Sequence, residues 1–196
     1  MQYVSIDIET TGLDPRKNDI LEFAAVVDEL DSSTPVEKLP VFRKYIRKSE
    51  PYVGDAKALA MHHRVFERIA ANDPDCIEVD GLMFAFGNFL QSHGVCPNKH
   101  GKIVLNVAGK NFGSFDMQFL LAKIPAESWN NIIFRQRFID PSILYVDADD
   151  THLPDLATCV ERMCEETGAK IEWSHHTALD DALQVVRLIR HKIRLY

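Results

Sequence analysis

No apolar run in this chain approaches the roughly 20 residues needed to cross a bilayer, and Met1 leads directly into a strand-like segment that leaves no room for a signal or transit peptide. Cysteine is scarce. Cys76, Cys96, Cys159 and Cys164 show no metal-type spacing, and the last two lie five apart in a helical pattern, on different faces. Free thiols in a reducing space follow, which points to an intracellular, cytoplasmic protein with no membrane partner. Internal repeats, low-complexity segments and interdomain linkers are absent, so the 196 residues read as one domain, 1–196. Basic charge is not in excess either. A net charge of −7 argues against coating nucleic acid through charge alone. The acidic stretch Asp147-Ala148-Asp149-Asp150 lacks the glycine and terminal glutamate of an EF-hand loop and reads as solvated.

What is present is ordinary globular material, 46% hydrophobic and 26% charged. Its organising stretch is Tyr3 to Leu13. Val4, Ile6 and Ile8 point one way with period two, and Tyr3, Ser5, Asp7 and Glu9 point the other, until Gly12 and Asp14-Pro15 turn the chain. Two carboxylates on one face of a short apolar strand raise each other's pKa, and a divalent cation relieves that penalty. Ile20 to Leu30 predicts a long buried strand, and Pro40 to Arg47, mixing Val41, Tyr45 and Ile46 with basic residues, an edge strand. Helices are expected over Ala56 to Ala70, interrupted near His62-His63, and over Asp80 to Ser92 with Asp80 as N-cap. Strands at Ile103–Val107 and Ile132–Ile139 enclose a helix from Ser114 to Lys123, and a helix from Leu153 to Thr167 ends at Gly168. Strands first, then strands alternating with helices, predict a mixed α/β sheet covered by helices.

The final helix separates two adjacent acids. Thr177 three residues before Asp180 resembles a capping box, which starts the helix at Ala178. Asp181 then shares an inward face with Ala178, Val185 and Leu188, while Asp180 shares its side with Gln184 and Arg187 and faces solvent. Asp116 repeats the pattern beside Phe112, Phe119 and Leu120. Each acid has a plainer reading: a solvated strand end, a buried Asp bonded to a backbone amide, a first-turn acid.

Asp7-Ile8-Glu9-Thr10-Thr11-Gly12, Asn111 to Asp116, and His176-Thr177-Ala178-Leu179-Asp180-Asp181 together resemble the DEDDh (DnaQ-like) 3′-to-5′ exonuclease superfamily, over residues 3 to about 190. The middle motif departs from many relatives in placing Asn five residues before Asp. The resemblance implies a ribonuclease H-like α/β fold: a mixed five-stranded sheet of three antiparallel strands, then two parallel, flanked by helices. It implies a hydrolase that cuts single-stranded DNA or RNA from the 3′ end to 5′-mononucleotides with two divalent cations, Mg²⁺ or Mn²⁺. Asp7, Glu9, Asp116 and Asp181 are the implied metal ligands, and His176, chosen over His175 by spacing, the implied general base. Thr10, Thr11, Gly12, Leu13, Asn111 and Phe115 are the implied contacts to the strand end. Met61 and His62 read as core or surface residues. An oligoribonuclease or RNA-trimming exoribonuclease, and a proofreading subunit acting with a polymerase, stand as alternatives.

Overall fold

The structure, a computed structural model, describes residues 1–169 and 177–194. Three strands come first: β1 (Gln2–Thr10), β2 (Ile20–Glu29) and β3 (Val41–Arg47). Helices α1 (Ala56–Met61) and α2 (His63–Ala70) follow, then β4 (Cys76–Glu78), α3 (Val79–Ser92), β5 (Ile103–Leu105) and β6 (Val107–Ala108). The rest is α4 (Asp116–Lys123), β7 (Ile132–Phe134), α5 (Pro141–Leu144), α6 (Leu156–Thr167) and α7 (Ala178–Arg194). Five strands form one mixed sheet in the order β4-β3-β2-β1-β6. β2 runs antiparallel to both β1 and β3, while β6 joins β1 and β4 joins β3 in parallel.

The sheet separates two apolar layers, and alternation along β1 and β2 assigns residues to each. Val4, Ile6 and Ile8 of β1 and Phe23, Ala25 and Val27 of β2 pack with Leu82, Met83, Phe86 and Leu90 of α3. The opposite face of the same strands meets α7, where Tyr3 and Val26 pack on Ala182, Val185, Val186 and Ile189. Ser5 fixes that contact by donating its hydroxyl to the Ala182 carbonyl at 2.8 Å. Near the far end of α7, Arg190 forms a buried bidentate pair with Asp28, which also accepts the Tyr3 hydroxyl at 2.7 Å.

The mixed five-stranded sheet is as expected, but its edges are not. β3 is an interior strand, because the three-residue β4 pairs with it. Its basic residues are matched by Asp75, just before β4, which lies 2.7 Å from Lys44 and 3.9 Å from Arg43. The strand expected over 103–107 breaks at Asn106. β5 pairs with β7 in a separate two-stranded sheet, while β6 joins β1, and the Asn106 side chain bridges to the Gln2 carbonyl at 2.9 Å. The expected strand over 132–139 is correspondingly short, returning to the main sheet only at an Ala108–Ile139 bridge. Asp80 is not an N-cap. Glu78 holds that place without a side-chain bond, since the chain passes directly from β4 into α3. α6 begins at Leu156, capped by Asp155 on the Thr158 amide at 2.8 Å, and ends at the left-handed Gly168.

Candidate active site

Alternation on β1 aims Asp7 and Glu9 at the first turns of α7. Thr177 caps that helix: its hydroxyl accepts the Asp180 amide at 3.1 Å and donates to the Asp180 carboxylate at 2.8 Å. Asp180 is thereby held outward, and Asp181 turns in beside the buried Ala178, Ala182 and Val185. One carboxylate oxygen each of Asp7, Glu9 and Asp181 lies within 4.8 Å of the others. Asp116, the first residue of α4, reaches the same strand end from another direction. It is buried, and its Oδ1 accepts the amide of Ile8, the residue between the two β1 acids, at 3.1 Å. Asp116 thus uses one oxygen on backbone and stays just outside the cluster of three.

Burial, and then the charges of Asp116, Glu9, Asp181 and Glu22, hold the Asp7 carboxyl well above the ordinary carboxylate range. Burial pushes Glu9 up to about 8, with Asp181, Glu22 and Asp116 adding to the rise. Asp116 is pushed up to about 7 by burial, against the opposing Ile8 amide. Carboxylates this close do not ionise together without positive charge among them. Among the described residues the donors that gather are oxygens, with neither thiolate nor imidazole in the group of three, so the cluster fits a hard divalent cation.

Two neighbours of the cluster fall outside the motifs. Glu22 stands on β2 directly opposite Glu9, is 1% exposed, and makes no hydrogen bond of ordinary geometry through either oxygen. Burial lifts its pKa to about 7, opposed by the Arg43 charge and the Ala178 amide at the start of α7. Its signal in the sequence is a lone carboxylate inside the apolar run Ile20 to Val27, on the same period-two face as Asp28. His62, in the break between α1 and α2, is buried with Nε2 3.4 Å from Glu9 Oε2.

The implied strand-contact residues divide by what their side chains already do. Thr10 donates to the Gly12 carbonyl at 2.7 Å, and Thr11 to the Val53 carbonyl at 2.5 Å, so both hydroxyls brace the loop. Gly12 sits close-packed: a Cβ there would meet Asp55 Oδ2 at 2.5 Å and Asn18 Oδ1 at 2.6 Å, so a larger residue must displace those side chains. Leu13 is 79% exposed and presents its apolar side chain to solution. Asn111 adopts a left-handed φ of 56°, which asparagine tolerates, and its amide donates to Asp140 Oδ2 at 2.9 Å. Phe115 is half-buried against Phe119, ring centroids 5.1 Å apart. Met61 is half exposed. His175 and His176 lie outside the described residues.

Residues 4–81 match the RNase_T exonuclease family model, a span that holds Asp7, Glu9, Glu22 and His62. No curated protein sequence matches the chain. Among solved structures, the chain is similar to the nuclease domain of 3′hExo, a DEDDh family member bound to rAMP. The TM-score is 0.68 at 15% identity, covering 98% of this chain and 92% of that one. It is also similar to cell-death related nuclease 4 (CRN-4), with a TM-score of 0.62 at 14% identity over 99% of this chain. The chain spans 64% of the length of CRN-4. The family match thus places residues 4–81 with the exonucleases, and the likeness to a DEDDh nuclease domain extends to the fold of nearly the whole chain, a mixed α/β, ribonuclease H-like sheet flanked by helices.

Proposed function

We propose that residues 1–196 form one 3′-to-5′ exonuclease domain that removes 5′-mononucleotides from the end of single-stranded DNA or RNA. The observation that carries this reading is the convergence of Asp7, Glu9 and Asp181, with Asp116 tied to the amide between the first two. Asp7, Glu9 and Asp181 would hold one Mg²⁺ or Mn²⁺, and Asp7 and Asp116 a second. Such a pair, when bound, supplies a water of lowered pKa and neutralises charge on the leaving 3′-oxygen. The chain's own groups do the rest. His176 takes the proton from the attacking water, for which an imidazole pKa near neutrality is suited. The loop after β1, braced by Thr10 and Thr11, offers the exposed Leu13 to the terminal base, and such packing accepts any base.

The test is a 5′-labelled single strand of DNA, and a matched one of RNA, incubated with Mg²⁺, Mn²⁺ or EDTA. A ladder shortening one nucleotide at a time, and blocked by EDTA, supports the reading; internal cuts point to an endonuclease. Asp7→Ala should stop nucleotide release with the fold intact, and His176→Ala should slow it far more than His175→Ala. RNA trimming is the second reading, favoured by the likeness to a nuclease domain solved with rAMP.

A further inference from the structure

A cavity of roughly 440 Å³ lies between α2 and the start of α7, beside the carboxylates. His62, the residue against Glu9, forms part of its wall, and Thr177 and Asp180 form another part. Arg43, Arg64, Arg68 and His63 also line it. Three guanidiniums on one cavity stand out in a chain of net charge −7. Two acids share the lining, and Glu22 feels the Arg43 and Arg68 charges. The Glu22 oxygens are sealed from solvent, and the Asp180 carboxylate is engaged by the Thr177 hydroxyl.

Two of the arginines are held in place before any ligand arrives. The Arg43 and Arg68 guanidiniums lie 5.2 and 5.5 Å from the centroid of the buried Tyr45 ring. Arg68 donates through Nη1 to Asp73 at 2.9 Å, and Arg43 stands 3.9 Å from Asp75, too far for a hydrogen bond. A guanidinium has five N–H donors; Arg43 Nε is sealed from solvent, so the terminal nitrogens are the ones left to meet a planar or tetrahedral oxyanion. The volume falls in the range of pockets that enclose a small ligand group. A strand end processed at Asp7, Glu9 and Asp181 has its other phosphates close by.

We propose that this cavity is a phosphate subsite, taking a backbone phosphate of the same single strand whose end lies at the carboxylates. The proposal rests on the exonuclease reading for the identity of the strand, and its test does not need cleavage. Binding of a 5′-fluorescein single strand is followed by anisotropy in EDTA, across a series of salt concentrations. Arg43→Gln with Arg68→Gln should weaken binding about tenfold and flatten the log–log salt slope by about 0.7 for each phosphate left unneutralised. Arg135→Gln with Arg137→Gln, on exposed residues outside the cavity, serves as the charge control. Equal weakening in that control would mean diffuse attraction and overturn the subsite, as would unchanged affinity in the cavity variant. Arg68→Gln alone, on a half-exposed side chain, guards against misfolding. If it lowers the melting temperature without changing affinity, the arginines merely brace α2 on β3 and the proposal fails. Loss of the cleavage ladder in the parent, with cavity-dependent binding intact, would remove the exonuclease reading and leave the subsite.

Discussion

Glu9 and Glu22 face each other across β1 and β2, and this pairing decides much of the local chemistry. Burying a carboxyl that lacks a hydrogen-bond partner is costly, and an apolar side chain of similar size removes that cost. Glu22→Leu should therefore raise the melting temperature in EDTA, while weakening Mn²⁺ binding measured by calorimetry, because a negative charge near Glu9 is removed. A fall in melting temperature would mean that Glu22 braces the fold instead. The adjacent aspartates of α7 make a sharper pair. Asp181→Asn should abolish metal-dependent nucleotide release, whereas Asp180→Asn, which alters only the cap, should cost ~1 kcal/mol of stability by denaturant titration. The facing of Asp180 and Asp181 is legible from the sequence, because a helix of known start fixes which side each residue takes. Glu22 shows only as a lone carboxylate in an apolar run; its place opposite Glu9 comes from the register of β1 against β2, which no local pattern states.

Among the elements, β1, β2 and α7 are readable because each is long enough to repeat its period. The three-residue strands β4, β5 and β7 carry too little pattern, and their pairing partners lie far along the chain. That is why the apolar pattern suggests one strand where the chain divides at Asn106 between two sheets. At this scale the start of α7 is the element to perturb. Thr177→Val removes a cap that satisfies the Asp180 amide, and should cost about 1 kcal/mol in chemical unfolding. Asp181 lies one turn further on, so Mn²⁺ affinity should fall with it. Unchanged affinity would show that α7 keeps its place through packing alone.

For the molecule as a whole, the crowded acids Asp7, Glu9, Glu22 and Asp116 tie stability to pH and to cations. Glu9 at about 8, and Glu22 and Asp116 at about 7, bind protons more tightly folded than unfolded. Their contribution is therefore full below the unfolded carboxylate values and lost as pH rises through 7 to 8. In EDTA the melting temperature should drop by at least about 5 °C between mildly acidic and mildly alkaline buffer, and Mg²⁺ should restore it. A flat profile in EDTA would contradict the crowding of these acids. Repulsion released inside the protein has to be absorbed somewhere, and the Arg190–Asp28–Tyr3 knot decides where. It bolts one end of α7 to the sheet, so the helix resembles a door hung at that end, with Asp181 toward the other, where the Ser5 hydroxyl on the Ala182 carbonyl is the lighter fastening. Amide hydrogen exchange in EDTA should accordingly quicken around 178–182 while the amides near Arg190 stay protected, and cation loading should latch the door.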